Sequence, residues 1–335
     1  MLTEPPDFNQ IIDYAPIESP RLLVVVDTEE AFPWHQPHSR DCTSVDAMSA
    51  LSIGQSVFDG FGLKPTYVID YPVASQTAGF EPLREIYDQD TCTVGAHLHP
   101  WVNPPLLEEL TKRNTFPGNL PEEIEKAKLS LLTEEIAKRF VRPNVYKAGR
   151  YGVGRNTASV LKSLGYTIDM SPTPGFSYSK EGGPNFSQFP ASPYWFSKDQ
   201  LCLPCTGGFV GAFRTFGPLI YPGVDRKLMR KLKAGGILSR LRLLERIRIS
   251  PEGFTTEEMI SLTKTLYRGG VRTFTLSFHS PTLQPGNTPY VQTQSELNQF
   301  LETIRRYLEF FFDEFQGQPS TPDSVFNDLR LNASV

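Results

Sequence analysis

Residues 21–34 read RLLVVVDTEEAFPW. The run at 22–26 is wholly aliphatic and mostly β-branched, and it lies between Pro20 and a polar cluster. Because it lacks alternation, neither face is marked for solvent, and it reads as a strand buried on both sides, the kind found in parallel sheets. Asp27 ends it, and Glu29 and Glu30 follow at once. Three carboxylates at the mouth of a buried strand repel one another and resist desolvation. A cation there would resolve both problems. The plainer reading is a strand-to-helix loop whose acids sit in water.

Working outward, strand and helix signals alternate. Helices are expected over 45–61 with Ser44 as N-cap, 81–88, and 121–140 with an apolar stripe at Ile124, Leu131, Leu132 and Ile136. Further helices are expected over 156–164, closed by Gly165, over 255–267 from the Thr255/Glu258 capping box, and over 297–315. Strands fall between them at 65–71, 91–96, 146–147, 166–169 and 271–278. This order implies an α/β fold with a parallel sheet, open or closed into a barrel. Residues 170–222, rich in Pro, Gly, Ser and aromatics, break the pattern and read as an ordered excursion over the sheet.

The chain has 335 residues, enough to bury a large core without disulfide or metal staples. Its formal charge of −4 excludes a globally basic nucleic-acid binder. The first residues, MLTEPPDFNQ, lack the basic and apolar regions of a secretory signal, and four cysteines are no disulfide scaffold. The expected location is therefore cytoplasmic, if the chain is complete. Cys202 and Cys205 have redox-motif spacing but read better as buried thiols in a strand. Residues 225–248 hold nine Lys/Arg against two acids and an apolar set at Ile237, Leu241, Leu244 and Ile247. One reading is a solvated helix on the barrel; the other is peripheral contact with an anionic membrane.

Three of the five histidines, His97, His99 and His279, fall at the ends of expected strands, the edge where α/β folds place chemistry. In TVGAHLHPW, residues 93–101, alternation points His97 and His99 to one face. The pair is a natural clamp for a divalent metal, with a hydrogen-bonded loop pair as the alternative. Together with the carboxylates at 27–30 it suggests a two-histidine, one-carboxylate site with open positions. His279 in TFTLSFHSP has a setting suited to proton transfer. His35 and His38 follow the acids and could reach the metal; Trp34, and with it Trp101, could contact a sugar.

This order of motifs resembles the polysaccharide deacetylases, carbohydrate esterase family 4, whose catalytic unit is the NodB-homology domain. The resemblance covers roughly 21–170 and 270–312. It implies a single domain over 1–335, an irregular TIM-like (β/α) barrel of about seven parallel strands with an insertion at approximately 171–250. It implies a divalent metal, zinc first and Co, Ni or Fe as alternatives, on Glu29, His97 and His99, with Glu30 competing for the place of Glu29. Asp27 would be the general base and His279 the general acid. In YKAGRYG, residues 146–152, Lys147 falls on the position of the family's base-orienting arginine, Arg150 is the neighbouring alternative, and the backbone N–H of Tyr151 would bind the oxyanion. Asp169 would tune His279, and Leu276 would wall the acyl pocket. The implied activity is N-deacetylation of a carbohydrate, polymeric or lipid- or phosphate-linked. Hydrolysis of a non-sugar amide is a second reading, and a metal-free glycan binder a third.

Overall fold

The computed structural model describes residues 2–13, 18–224 and 234–332. Its strands are β1 (Arg21–Thr28), β2 (Thr66–Ile69), β3 (Thr93–Leu98), β4 (Val145–Ala148), β5 (Ile168–Asp169), β6 (Tyr194–Ser197), β7 (Gln200–Cys202), β8 (Gly207–Val210), β9 (Glu245–Arg248), β10 (Thr273–His279) and β11 (Gln318–Pro319). The main sheet runs β10-β1-β2-β3-β4-β5-β7-β6, with β11 beside the start of β1. Neighbours from β10 to β7 are all parallel, and β6 is antiparallel at the edge. The sheet curls into a half-barrel, an α/β fold, in which seven parallel strands run from β10 to β7 and the two-residue β11 adds a further parallel pairing at the start of β1.

Side-chain parity divides the core. Leu23, Val25, Val68, Val145, Ile168, Met170 and Leu201 form one cluster, closed by Val325 and Phe326 from the helix Pro322–Asn332. Leu22, Val24, Val26, Ala96, Tyr146, Phe274, Leu276 and Phe278 face the other way, into the layer shared with the helices. Successive residues of a strand point to opposite faces, so Asp27, His97, Lys147 and His279 belong to the face of the first cluster. Asp169 and Leu276 belong to the second.

The helices differ from their sequence signals in physical detail. Ser44 does not cap an α-helix. Its hydroxyl bonds the Asp46 carboxylate at 2.9 Å, and a 3-10 turn over Asp46–Ala50 precedes the helix Leu51–Asp59. In the helix Glu122–Ala137, Leu131 is exposed, and the buried face carries Glu125, Lys128, Leu129, Leu132, Thr133 and Ile136. The capping box at Thr255 and Glu258 forms with both bonds in place and starts the helix Thr256–Arg268. The stretch 171–250 does not lie wholly outside the sheet, because β7 pairs with β5. Its second part, β8 with β9, is a separate antiparallel pair.

In the basic stretch, 225–233 lies outside the described residues. Beyond it, the helix Ala234–Arg240 stops, Arg242 takes a φ of 54°, and Leu244 and Ile247 turn inward at β9. Ile237 and Leu241 remain exposed, so the four apolar residues do not share one helical face. Among the described residues no helix is long and apolar enough to cross a membrane. Cys202 and Cys205 are buried free thiols whose pKa values burial pushes up.

Glu125 shows what burial costs a carboxyl. It is 1% exposed, one oxygen accepts from the Thr157 hydroxyl at 2.6 Å, and the other has no partner. Burial pushes its pKa up to about 7. The folded state then holds a proton that the unfolded chain releases near the ordinary value. Its contribution to stability is therefore present at acid pH and lost as pH rises towards 7. Glu125→Gln should remove this part of the pH dependence, worth on the order of 3 kcal/mol between pH about 4.5 and 8. Urea unfolding across that range checks it; an unchanged slope in the variant would refute it.

Candidate active site

Strand register assembles the site. Asp27 lies opposite His279 across β1 and β10, and His97 lies opposite Lys147 across β3 and β4. The four side chains meet at the carboxyl edge of the sheet on one face. His99, one residue past β3, joins them. Gly149 makes room for it, since a Cβ there would sit 2.4 Å from the His99 ring.

The first group is Glu29, His97 and His99, each 2% exposed. Glu29 Oε2 lies 3.4 Å from Nε2 of both histidines. The tautomers follow from the other ring nitrogens. His97 Nδ1 donates to the Lys147 carbonyl at 2.8 Å, and His99 Nδ1 donates to Glu30 Oε2 at 2.8 Å. Both Nε2 atoms therefore carry lone pairs aimed at Glu29. Burial lowers the pKa of both rings, that of His99 to about 4, so neither is charged near neutrality. Burial and the neighbouring acids Glu30, Asp27, Asp70 and Glu252 push Glu29 well above the carboxylate range. Its second oxygen is buried without a partner. Two neutral imidazoles, a carboxylate that lacks a counter-charge and an orphaned oxygen fit a divalent cation. Their ligand atoms lie within 4.8 Å of one another.

Glu30 is engaged elsewhere. Besides His99, it accepts from Trp101 Nε1 at 2.8 Å, and its backbone N–H donates to Asp70. Asp70 also caps the helix Tyr71–Ser75. Glu30 and Asp70 thus hold His99 from behind, and the arrangement favours Glu29 over Glu30 as the ligand. Trp101 is buried, stacks on His99 with ring centroids 4.1 Å apart, and lines the cavity beside that histidine.

The second group is Asp27 with Lys147, 3% and 1% exposed. Lys147 Nζ reaches both Asp27 oxygens, 2.5 Å from Oδ1. Burial would raise Asp27, but Lys147 and the nearby histidines hold it down at about 2. Burial likewise opposes the charge on Lys147, and Asp27 more than reverses this. Of the two cations considered for this place, Lys147 occupies it. Arg150 lies at the cavity rim, paired with Glu181 and stacked over Phe116. Arg150 and Tyr151 both have positive φ, 54° and 58°, unusual for residues with side chains.

The third group centres on His279. Its Nδ1 donates to Glu252 Oε2 at 2.6 Å, and its backbone N–H donates to Glu252 Oε1 at 3.1 Å. The Thr282 hydroxyl donates to the same oxygen at 2.6 Å. Nε2 is left facing Asp27 Oδ2 at 3.7 Å. Asp169 is not the partner of His279. Strand parity turns it to the opposite face, where it accepts from the Ser171 hydroxyl at 2.6 Å. Leu276 is misplaced for an acyl-pocket wall for the same reason and packs in the helix-side core.

Asp27, Glu29, His97, His99 and His279 line a cavity of about 420 Å³ together with Phe32, Trp34, His38, Trp101, Tyr151, Tyr178, Arg248 and Tyr290. Trp34 meets the His279 ring edge-on at 5.0 Å and is partly exposed. His38 packs on Trp101 at 4.2 Å, and His35 is exposed; neither belongs to the Glu29 cluster. Sequence reasoning missed Asp70 and Glu252. Asp70 carried a readable signal, since it too ends an expected strand. Glu252 lies in a Pro-Glu-Gly loop and carried none.

The sequence matches no protein-family model and no curated protein. Solved structures do match. A protein from Mycobacterium smegmatis described as a polysaccharide deacetylase superimposes with a TM-score of 0.54 at 13% identity, covering 96% of both chains. A protein from Parabacteroides distasonis described as a glycoside hydrolase/deacetylase gives 0.55 at 11% identity, covering 93% of this chain and 71% of that one. The chain shares its fold with these two proteins. Within that fold, the three groups sit at the carboxyl edge of the parallel strands, where ligands of such sheets bind.

Proposed function

We propose that this chain is a metal-dependent hydrolase that removes N-acetyl groups from a carbohydrate. The observation that carries the reading is the convergence, in one cavity, of the Glu29–His97–His99 cluster with a buried carboxylate and a histidine held at Nδ1. Glu29, His97 and His99 would hold a divalent ion, zinc first among the candidates. When bound, such an ion supplies Lewis acidity and lowers the pKa of water.

The remaining steps belong to the side chains. Asp27, kept anionic by Lys147, accepts a proton from the attacking water. A C–O bond forms at the amide carbon, and the backbone N–H of Tyr151 is the proposed donor to the oxyanion. The proton taken by Asp27 passes to Nε2 of His279, which Glu252 orients and which faces Asp27 Oδ2 at 3.7 Å, and His279 gives it to the nitrogen as the C–N bond breaks. The products are acetate and an amino sugar. Trp34, beside His279 at the mouth, is the proposed contact for the sugar ring.

The test is acetate release by zinc- or cobalt-loaded protein from N-acetylated mono- and oligosaccharides, with cyclic and simple amides alongside. The wild type should prefer N-acetyl sugars. His279→Ala should lower the rate by roughly 10²–10⁴ without loss of bound metal. Absence of release from every sugar tested, or an undiminished rate in His279→Ala, would overturn the proposal.

A further inference from the structure

The cavity has a cationic wall that this chemistry does not use. Arg248, the last residue of β9, lines the same cavity as Asp27, Glu29, His97, His99 and His279. Its Nη1 donates to the Tyr151 hydroxyl at 2.9 Å. Its guanidinium lies over the Phe176 ring, 5.0 Å from the centroid, and 5.8 Å from that of Tyr151. Its Nε is buried with no partner. The other two cations at the cavity have carboxylates, Lys147 with Asp27 and Arg150 with Glu181. Among the described residues no carboxylate forms an ion pair with Arg248.

Arg248 is partly buried at the cavity wall, where the nearest acid acting on it, Glu252, is bonded to His279 instead, and nothing in the proposed reaction requires a cation here. Ring contacts engage the face of a guanidinium, whereas its donors lie in its plane and match a pair of anionic oxygens. We propose that Arg248 binds an anionic group, a carboxylate or a phosphate, carried by the substrate beside its N-acetylated sugar. The inference rests on the deacetylase reading for the sugar, and it names the substrate class: acidic or phosphorylated N-acetyl sugars rather than neutral ones. Tyr151 links the two parts of the site, because its hydroxyl accepts from Arg248 and its backbone is the proposed oxyanion donor.

The test reads binding, not turnover. Tryptophan fluorescence of the zinc-loaded full chain is recorded on mixing with N-acetylglucosamine, N-acetylmuramic acid and N-acetylglucosamine 1-phosphate. At least one anionic sugar should bind roughly tenfold or more tightly than the neutral one, and added salt should weaken that preference. Arg248→Gln should abolish the preference and leave the neutral sugar's affinity unchanged. Arg248→Lys, which keeps the charge without the fork, should retain part of it and serves if the Gln variant fails to fold. The carboxylate and phosphate arms separate the two sources of charge. Equal affinity for neutral and anionic sugars, no saturable binding of any of them, or an anionic preference that survives in Arg248→Gln overturns the proposal. Because no acetate is measured, failure here leaves the deacetylase test to be decided separately.

Discussion

Asp27→Asn should abolish turnover and, at the same time, cost the protein several kcal/mol of stability. Both effects come from one geometry. Lys147 Nζ sits 2.5 Å from Asp27 Oδ1, and both side chains are almost wholly buried. The carboxylate is the proposed proton acceptor, so its loss should lower the rate by about 10³ or more. It is also the counter-charge of an ammonium with no access to water. Removing one partner of a buried pair costs roughly 3–5 kcal/mol because it strands the other. Lys147→Met should destabilise by a similar amount for the mirror-image reason. The Asp27→Asn/Lys147→Met double variant should recover most of the stability and none of the activity. Denaturant unfolding and rate measurement on the four proteins form a double-mutant cycle. Strictly additive losses of stability would refute the paired charge, and a wild-type rate in Asp27→Asn would refute its role.

The second large effect concerns the metal. Purified wild-type protein should carry about one divalent ion per chain, and His97→Ala/His99→Ala should carry none, by elemental analysis. Added zinc should stabilise the wild type by about 2.7 kcal/mol at a hundredfold excess over its dissociation constant and should not move the variant. The direction follows from the cluster. Two neutral rings and a carboxylate crowded by other acids are uncomfortable without a cation, and a cation relieves them. A wild type that takes up neither zinc nor cobalt would shift the balance to a glycan-binding protein on the same fold.

Two features of the site show how far periodicity reaches. His97 and His99 were expected on one face because strand alternation has a period of two, and both turn towards Glu29. The same rule, applied to TLSFHSP, would have separated Leu276 from His279, since three positions put them on opposite faces. Asp169 sits on a strand two residues long, and its direction is set by the pairing of that strand with β4 and β7 rather than by any local pattern. The substitution of Glu252 for Asp169 beside His279 was invisible in the sequence, because the contact bridges 27 positions and arises from a loop.

The sequence by itself determined the fold class, the alternation of the central parallel strands with helices, and that Asp27, His97 and His279 fall at strand ends. Those features follow from local hydrophobic period, turn residues and caps. The tertiary structure decided which carboxylate faces the two histidines, which cation holds Asp27, which acid orients His279, and that Arg248 opens on the same cavity. Each of these depends on strand register and on contacts between distant segments, and a side chain's chemical type is blind to both until the chain has closed around it.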